Sequence, residues 1–191
     1  MAPVRAIRFA CAFTVAVATL GIAAARAEGP TILSPYRDLV MPGGAARAGP
    51  HPAVDFGGKI GDPVLAAADG FVWGARSGGL CGNGIRLAHP PYGRYTLYCQ
   101  LHAIGVKKGD VVKRGQVIGT LGASGEPSMR AKIYGIAIPM LHFMLSERPE
   151  RRVDGEIERT YDPLQFIIGC FDPAKTYPAD RLVLTYPLKC D

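Results

Sequence analysis

Beyond residue 27, short apolar runs alternate with glycine and proline along the chain. The runs at 63–67, 70–73 and 116–121 are each bounded by such residues, which is the pattern of short strands joined by turns. Apolar residues do not recur at the spacing of an amphipathic helix, and a short piece around 163–168 is the one plausible helical segment. We therefore predict an all-β fold made mainly of antiparallel sheet.

Residues 1–27 follow a different pattern. Two arginines precede an apolar run at 9–25, and the segment ends in Ala25-Arg26-Ala27. This order is typical of a signal peptide, although a membrane anchor is the alternative. The run of about 17 residues is somewhat short for a bilayer span. We expect export with cleavage after residue 27, which would give a periplasmic or secreted protein with no later membrane span.

The charge balance argues against nucleic acid as a partner. The 191 residues carry 22 Lys and Arg against 16 Asp and Glu, a formal net charge of +6. Residues 1–27 hold three arginines and no acid, so the remaining 164 residues have 19 basic against 16 acidic side chains, a net of +3. This excess is too small to indicate a phosphate-binding surface. The length and the 48% hydrophobic content suit one folded domain.

The cysteines predict two disulfides. Cleavage after residue 27 would remove Cys11 and leave an even number, consisting of Cys81, Cys99, Cys170 and Cys190. Four cysteines allow three pairings. A hairpin around the turn-like sequence at 90–93 would bring Cys81 opposite Cys99, and Cys170 would then pair with Cys190 in the tail. The alternative is a four-cysteine metal site, which the absence of a C-x-x-C pair disfavours.

His51 and Asp55 form the first candidate for chemistry, an H-x-x-x-D spacing followed by Phe-Gly-Gly. An imidazole and a carboxylate suit Zn²⁺, but in a straight strand they would lie about 13 Å apart. A bend is plausible, because Pro52 restricts the backbone of His51 to an extended conformation and Gly57 lets the chain turn after Asp55. Taken alone, the spacing also fits a surface histidine beside an unrelated aspartate.

His142 is the second candidate, inside the apolar run at 139–145. Taken alone, this pattern favours a core histidine with satisfied hydrogen bonds. The segments between the two places change this interpretation, because several motifs follow one another in order. They are Gly61-Asp62-Pro63-Val64, Ala68-Asp69-Gly70, Gly82-Asn83-Gly84-Ile85, Tyr95-Thr96-Leu97-Tyr98 and the V-K-K-G-D-V-V-K-R-G-Q-V-I-G run at 106–119.

This ordered series resembles the lysostaphin/LytM-type zinc endopeptidases, which cut peptide bridges of bacterial peptidoglycan and have a small antiparallel β-sheet core. The resemblance covers about residues 51–168 and ends at a D-P-x-x-F sequence at 162–166. It implies that His51, Asp55 and His142 are the zinc ligands. Three protein ligands with one open position are typical of a catalytic zinc.

Two family positions differ here. Met140 occupies the position of the first histidine in the family's H-x-H motif. Gln100 occupies the position of the histidine in its Tyr-x-His-Leu motif. A thioether accepts no proton at neutral pH, and an amide donates hydrogen bonds without titrating. Gln100 could therefore polarise a carbonyl. His102 lies two residues further along the strand, hence on the same strand face, and is the one nearby substitute base.

The segment at 125–139 is longer than the family's usual connection before H-x-H. It would form a loop over the groove, where Arg130 and Lys132 could meet peptide carboxylates, or a solvated loop. We interpret His89 as structural. The chain thus divides into a signal peptide (1–27), an N-terminal segment (28–50), a LytM-like peptidase domain (51–168) and a disulfide-tethered C-terminal tail (169–191).

Two functions remain open at this stage. One is an exported zinc endopeptidase acting on peptidoglycan peptides. The other is a catalytically degenerate protein of the same fold that binds peptidoglycan or regulates a separate cell-wall hydrolase. A biotinyl or lipoyl carrier shares the V-x-x-G-D-x-V pattern, but the modified lysine at a hairpin tip is missing.

Overall fold

A computed structural model of the chain describes residues 28–41, 44, 46–125, 138–147 and 159–190. The expected signal peptide at 1–27 and most of the segment at 125–139, including Arg130 and Lys132, lie outside the described residues. In the described part of the chain, no helix has the length and apolar character needed to cross a membrane.

The described residues form ten strands, and all of them pair antiparallel in one sheet. They are β1 (Ile32–Ser34), β2 (Val54–Gly57), β3 (Pro63–Leu65), β4 (Gly70–Arg76), β5 (Asn83–His89), β6 (Arg94–Ile104), β7 (Val111–Val112), β8 (Val117–Leu121), β9 (Met140–Ser146) and β10 (Thr160–Tyr161). The path β1-β2-β9-β6-β5-β4-β7 forms the main sheet; β10 pairs with β9, and β8 bridges β3 and β6. The all-β, mainly antiparallel prediction is confirmed.

Helical structure among the described residues is limited to two 3₁₀ turns, Pro90–Tyr92 and Pro163–Gln165. The first joins β5 to β6 and ends at Gly93, whose φ of 58° lies in the left-handed region that glycine tolerates best. The second is the short helical piece expected around 163–168. Both disulfides are formed, Cys81–Cys99 and Cys170–Cys190.

The two faces of the main sheet have different roles. On one face, Val54, Leu87, Tyr98 and Phe143 are fully buried and form the centre of the hydrophobic core. Because side chains alternate along a strand, the residues between them point to the opposite face. We call this second face the outer face.

The C-terminal tail packs into the same core. The Leu65 amide donates to the Pro187 carbonyl and the Thr185 amide donates to the Ala67 carbonyl, so the tail runs beside β3. Leu184 and Leu188 lie in the hydrophobic cluster. The tail therefore contributes apolar side chains to the domain as well as a disulfide.

Candidate metal centre

The pairing of β2 with β9 brings two of the expected ligands together. Asp55 lies directly opposite His142, while their neighbours Val54 and Phe143 pair on the core face. Asp55 and His142 therefore share the outer face, since directly opposed residues of an antiparallel pair point the same way. They are 87 positions apart in the sequence.

His51 completes the cluster from the loop before β2. Its amide donates to the Asp38 carbonyl and its carbonyl accepts from the Arg37 amide, which fixes this turn of the chain. The His51 side chain is only 2% exposed. The bend that the H-x-x-x-D spacing requires is therefore present, and it places His51 beside Asp55.

Three ligand atoms converge on one point. His142 Nδ1 lies 2.8 Å from Asp55 Oδ1, His51 Nε2 lies 3.4 Å from Asp55 Oδ1, and His51 Nε2 lies 3.3 Å from His142 Nδ1. Ligands placed tetrahedrally around Zn²⁺ at roughly 2.0 to 2.1 Å lie about 3.3 Å from one another. Two of the three separations have this value, so the donor set and its spacing fit a zinc ion.

The far side of the His51 ring is also held. Its Nδ1 lies 3.1 Å from the Pro35 carbonyl oxygen and 3.2 Å from the Ser34 hydroxyl. Donation from Nδ1 to the Pro35 carbonyl leaves the Nε2 lone pair facing Asp55 and His142. This is the tautomer that a metal ligand needs, fixed by a hydrogen bond behind the ring.

Arg47 binds the outer oxygen of Asp55. Its Nη2 lies 3.6 Å from Asp55 Oδ2 and donates to the Ser34 hydroxyl at 2.7 Å. Burial raises the pKa of the Asp55 carboxyl, but the adjacent His142 and His51 rings outweigh this and hold its pKa well below the usual range. The carboxylate therefore offers Oδ1 to the site in its ionised form while Oδ2 is held by Arg47.

Sequence reasoning did not find Arg47, Ser34 or Pro35. All three belong to the N-terminal segment, where Arg47 lies in a glycine- and alanine-rich stretch without periodicity. An arginine near H-x-x-x-D would have been the one available signal. The segment at 28–50 thus supplies the supporting contacts for a ligand set that lies outside it.

Gln100 has an unusual backbone conformation on β6, the strand that pairs with the one carrying His142. Its φ is 73°, in the left-handed region, and its neighbour Cys99 pairs directly with His142. The backbone amide of Gln100 donates to the Cys81 carbonyl, and its side-chain Nε2 donates to the Leu80 carbonyl. The Cys81–Cys99 disulfide therefore fixes the loop that holds Gln100. Its Oε1 is buried and has no hydrogen-bond partner among the described residues.

Met140 lies two residues before His142 on β9, with the fully buried Leu141 between them. It pairs with Gly57, two positions beyond Asp55 on β2. Met140 thus points to the outer face on the same side as the ligands, as the strand pattern predicts. Met140 is 4% exposed, and its thioether provides no group that could accept a proton there.

His102 stands apart from these residues. Tyr98 and Leu101 are both fully buried although three positions separate them, so β6 contains an extra residue at Gln100 and does not alternate regularly between Gln100 and His102. His102 is exposed, whereas Gln100 is buried. The counting that placed both on one face therefore does not apply, and the substitute role of His102 stays a prediction.

His89 has a closed environment. Its Nδ1 donates to the Asp69 carbonyl at 2.7 Å, and its Nε2 accepts from the Thr96 hydroxyl at 2.9 Å. Burial lowers the pKa of His89, although the hydrogen bond to Asp69 opposes this. Both ring nitrogens are used within the core, which agrees with a structural role.

Known proteins resemble part of this chain. It is 37% identical over 105 residues to the peptidoglycan DD-endopeptidase ShyB of Vibrio cholerae, covering 54% of this chain and 22% of that protein. It is 33% identical over 107 residues to the DD-carboxypeptidase/endopeptidase Mpg of Neisseria meningitidis, covering 56% and 21%. The chain thus spans about a fifth of the length of these curated relatives.

Solved structures agree with the fold. The solution structure of lysostaphin matches with a TM-score of 0.54 and 29% identity over 72% of this chain and 49% of that one. The catalytic domain of lysostaphin from Staphylococcus simulans matches with a TM-score of 0.50 and 28% identity over 73% of this chain and 91% of that one. The profile of Peptidase family M23 matches residues 49–154, which include His51, Asp55 and His142, and the chain belongs to that family.

Proposed function

We propose that this chain is an exported zinc endopeptidase that hydrolyses peptide bonds in peptidoglycan. The observation that carries the proposal is the convergence of His51 Nε2, Asp55 Oδ1 and His142 Nδ1 on one point of the outer face. The relatives named above support peptidoglycan as the substrate class. The leader-like pattern at 1–27 supports a periplasmic or secreted location.

In this proposal the three side chains hold the zinc and leave its remaining position open. Zinc held there would supply Lewis-acid chemistry, which polarises a substrate carbonyl and makes water more acidic. Arg47 and Pro35 fix the ligand orientations from behind. The N-terminal segment at 28–50 therefore acts with the peptidase domain at 51–168, and the division of the chain at 27, 50 and 168 stays part of the proposal.

Gln100 orients the substrate in this proposal. Its Nε2 carries two hydrogens, and only one is needed for the Leu80 carbonyl. The second is available to a substrate carbonyl or to the oxyanion that develops from it. Because Gln100 cannot titrate, proton transfer at this position is absent, and the expected rate is lower than with a histidine by about 10² to 10⁴-fold.

The second candidate function is favoured by Met140 and Gln100 themselves. Both occupy positions where the family resemblance expects histidine, so the chain would keep the metal and lack the bases. Such a protein would bind peptidoglycan or regulate another cell-wall hydrolase. The two candidates predict the same metal content and different hydrolysis.

Metal content and hydrolysis distinguish them. Purified residues 28–191 should contain about one zinc per chain, and His142→Ala should contain none, with exposed His102→Ala as the matched histidine control. Muropeptides and glycyl peptides are then digested with and without chelator. Chelator-sensitive cleavage supports the peptidase, bound zinc without cleavage supports the second candidate, and a zinc-free wild-type protein overturns both.

Histidine replacement at the two changed positions tests the reason for low activity. If the metal centre is competent, Gln100→His together with Met140→His should raise cleavage by about 10² to 10⁴-fold. Met140→Leu, which keeps an apolar side chain, serves as the control. An unchanged rate in a variant that retains zinc would show that proton transfer does not limit the reaction.

A further inference from the structure

The outer face carries the three candidate metal ligands His51, Asp55 and His142, which we call the metal cluster. It also carries an exposed aromatic surface. Phe71, Trp73 and Tyr95 are in ring contact, with centroids 6.2 Å apart for Phe71 and Trp73 and 5.8 Å apart for Trp73 and Tyr95. Val111 extends this surface on β7, where it pairs with Phe71. We call these four residues the aromatic patch. Trp73 is 39% exposed and Val111 is 73% exposed.

A small residue beneath the rings allows the patch to form. Ala88 on β5 pairs with Phe71 on one side and with Tyr95 on the other. It is 3% exposed. Because an alanine methyl leaves room above the middle strand, Trp73 and Tyr95 make contact across β5.

Strand register shows that the patch lies on the same face as the metal cluster. On β6, Tyr95, Leu97 and Cys99 alternate with the core residues Thr96 and Tyr98, both fully buried. Cys99 lies directly opposite His142. Tyr95 is thus four residues from the position beside the metal cluster, or about 13 Å along the strand.

The surface between the two is mixed, because Leu97 pairs with Arg86 of β5 on the same face. Leu97 of β6 pairs with Met144 of β9 on the outer face, midway between Tyr95 and Cys99. A polymer lying along β6 would therefore contact the metal cluster at one end and the aromatic patch at the other. Exposed apolar surfaces such as the aromatic patch commonly mark a binding site on a soluble domain.

We propose that the aromatic patch binds the sugar chain of peptidoglycan while its peptide lies at the metal cluster. The proposal rests on the proposed function, because peptidoglycan is a glycan to which peptides are attached. The C–H face of a pyranose is apolar and flat, and it packs against aromatic rings in the way other apolar groups do. The continuity of the patch with the metal cluster on one sheet face favours the glycan of the same substrate over an unrelated partner.

Trp73 provides a direct probe, because it is the single tryptophan of the chain. Titration with the N-acetylglucosamine tetramer should change its emission in a saturable manner. The same change should occur with chelator present, because the patch needs no metal. A glycan-binding result is therefore independent of whether the zinc or peptidase proposal holds.

Substitutions locate the binding. Tyr95→Ala should weaken tetramer binding about threefold to tenfold, the loss expected for one aromatic contact. Trp73→Phe, measured by calorimetry, should weaken it less because a ring remains. Ile168→Ala, which removes an apolar side chain 54% exposed outside the patch, should leave binding unchanged. Thermal unfolding of each variant checks that the fold is retained.

Three results would overturn the proposal. One is no emission or heat change with the tetramer. Another is a change with a stem tripeptide or with anionic phospholipid vesicles in place of the tetramer, which would assign the patch to peptide or membrane. The third is equal weakening by Ile168→Ala and Tyr95→Ala, which would show that the effect is not local to the patch.

Discussion

His51 and His89 are buried to almost the same extent, with 2% and 1% of their surface exposed, yet their polar surroundings differ. Both nitrogens of His89 are bound within the core, one by the Asp69 carbonyl and one by the Thr96 hydroxyl. His51 is held through Nδ1 alone, and its Nε2 faces Asp55 and His142. Burial therefore does not distinguish a structural from a ligating histidine.

The useful distinction is what the second nitrogen faces. At His89 it meets a hydroxyl, and the role of the ring is to satisfy hydrogen bonds within the core. At His51 it meets a carboxylate and another imidazole, a set that suits a divalent cation. Substitutions at the two places should consequently affect different properties of the protein.

The largest difference is expected in the response to zinc. At about 1,000 times its Kd, zinc should stabilise the wild-type protein by about 4 kcal/mol. Asp55→Ala should abolish this response, because it removes one of the three ligands. His89→Ala should retain it. Urea unfolding with zinc and with chelator measures the effect, and a full zinc response in Asp55→Ala would contradict the assignment.

Removing the His89 side chain should lower stability directly. His89→Ala leaves a cavity and takes the hydrogen bond away from the Asp69 carbonyl, which together should cost about 2 to 4 kcal/mol. Urea unfolding of the chelated protein measures this cost. Exposed His102→Ala is the matched control and should change stability by less than about 0.5 kcal/mol. Equal costs for the two variants would show that the bonds of His89 contribute little.

Arg47 allows a finer test of the proposed zinc site. Arg47→Met removes the contact with Asp55 Oδ2 and should weaken zinc binding about tenfold, as for other residues that orient a ligand from behind. Competition with a chromophoric chelator gives the affinity. Arg37→Met is the control, because its guanidinium lies over the Tyr36 ring. If both variants bind zinc as the wild type does, Arg47 does not position Asp55.

The smallest effect concerns pH. Burial lowers the pKa of folded His89 below the ordinary value of 6.5, so below that pH the unfolded chain binds a proton that the folded chain does not. The stability contribution is complete above about pH 6.5 and is lost as the pH falls through the folded pKa. His89→Gln should therefore lose less stability than the wild type between about pH 7.5 and 5. Urea unfolding of both chelated proteins gives the difference, and parallel curves would contradict it.

Much of the fold was predictable because local signals agree with it. Turn residues at 90–93 predict the β5–β6 hairpin, and that hairpin predicts the Cys81–Cys99 pair, which is present. The three ligands were predicted from the family resemblance, and β2–β9 pairing brings Asp55 and His142 together. The family match agrees with the resemblance that singled them out.

The supporting residues could not be predicted because no sequence pattern encodes them. Pro35 and Arg47 act through a backbone carbonyl and a long side chain from an irregular segment. The conformation of Gln100 is equally hidden, because a positive φ at a residue other than glycine depends on the Cys81 loop that holds it. One extra residue in β6 was sufficient to invalidate the alternation argument for His102.

The antiparallel pairing of Asp55 with His142 also has a consequence for folding. A slip of β9 by one residue would turn Phe143 to the outer face and His142 into the core, because successive side chains of a strand alternate. The two side chains are 87 positions apart, so they meet only after a long-range contact has formed. Metal capture should therefore be a late event in folding, and it should select the chains in which β2 and β9 have paired in the native register.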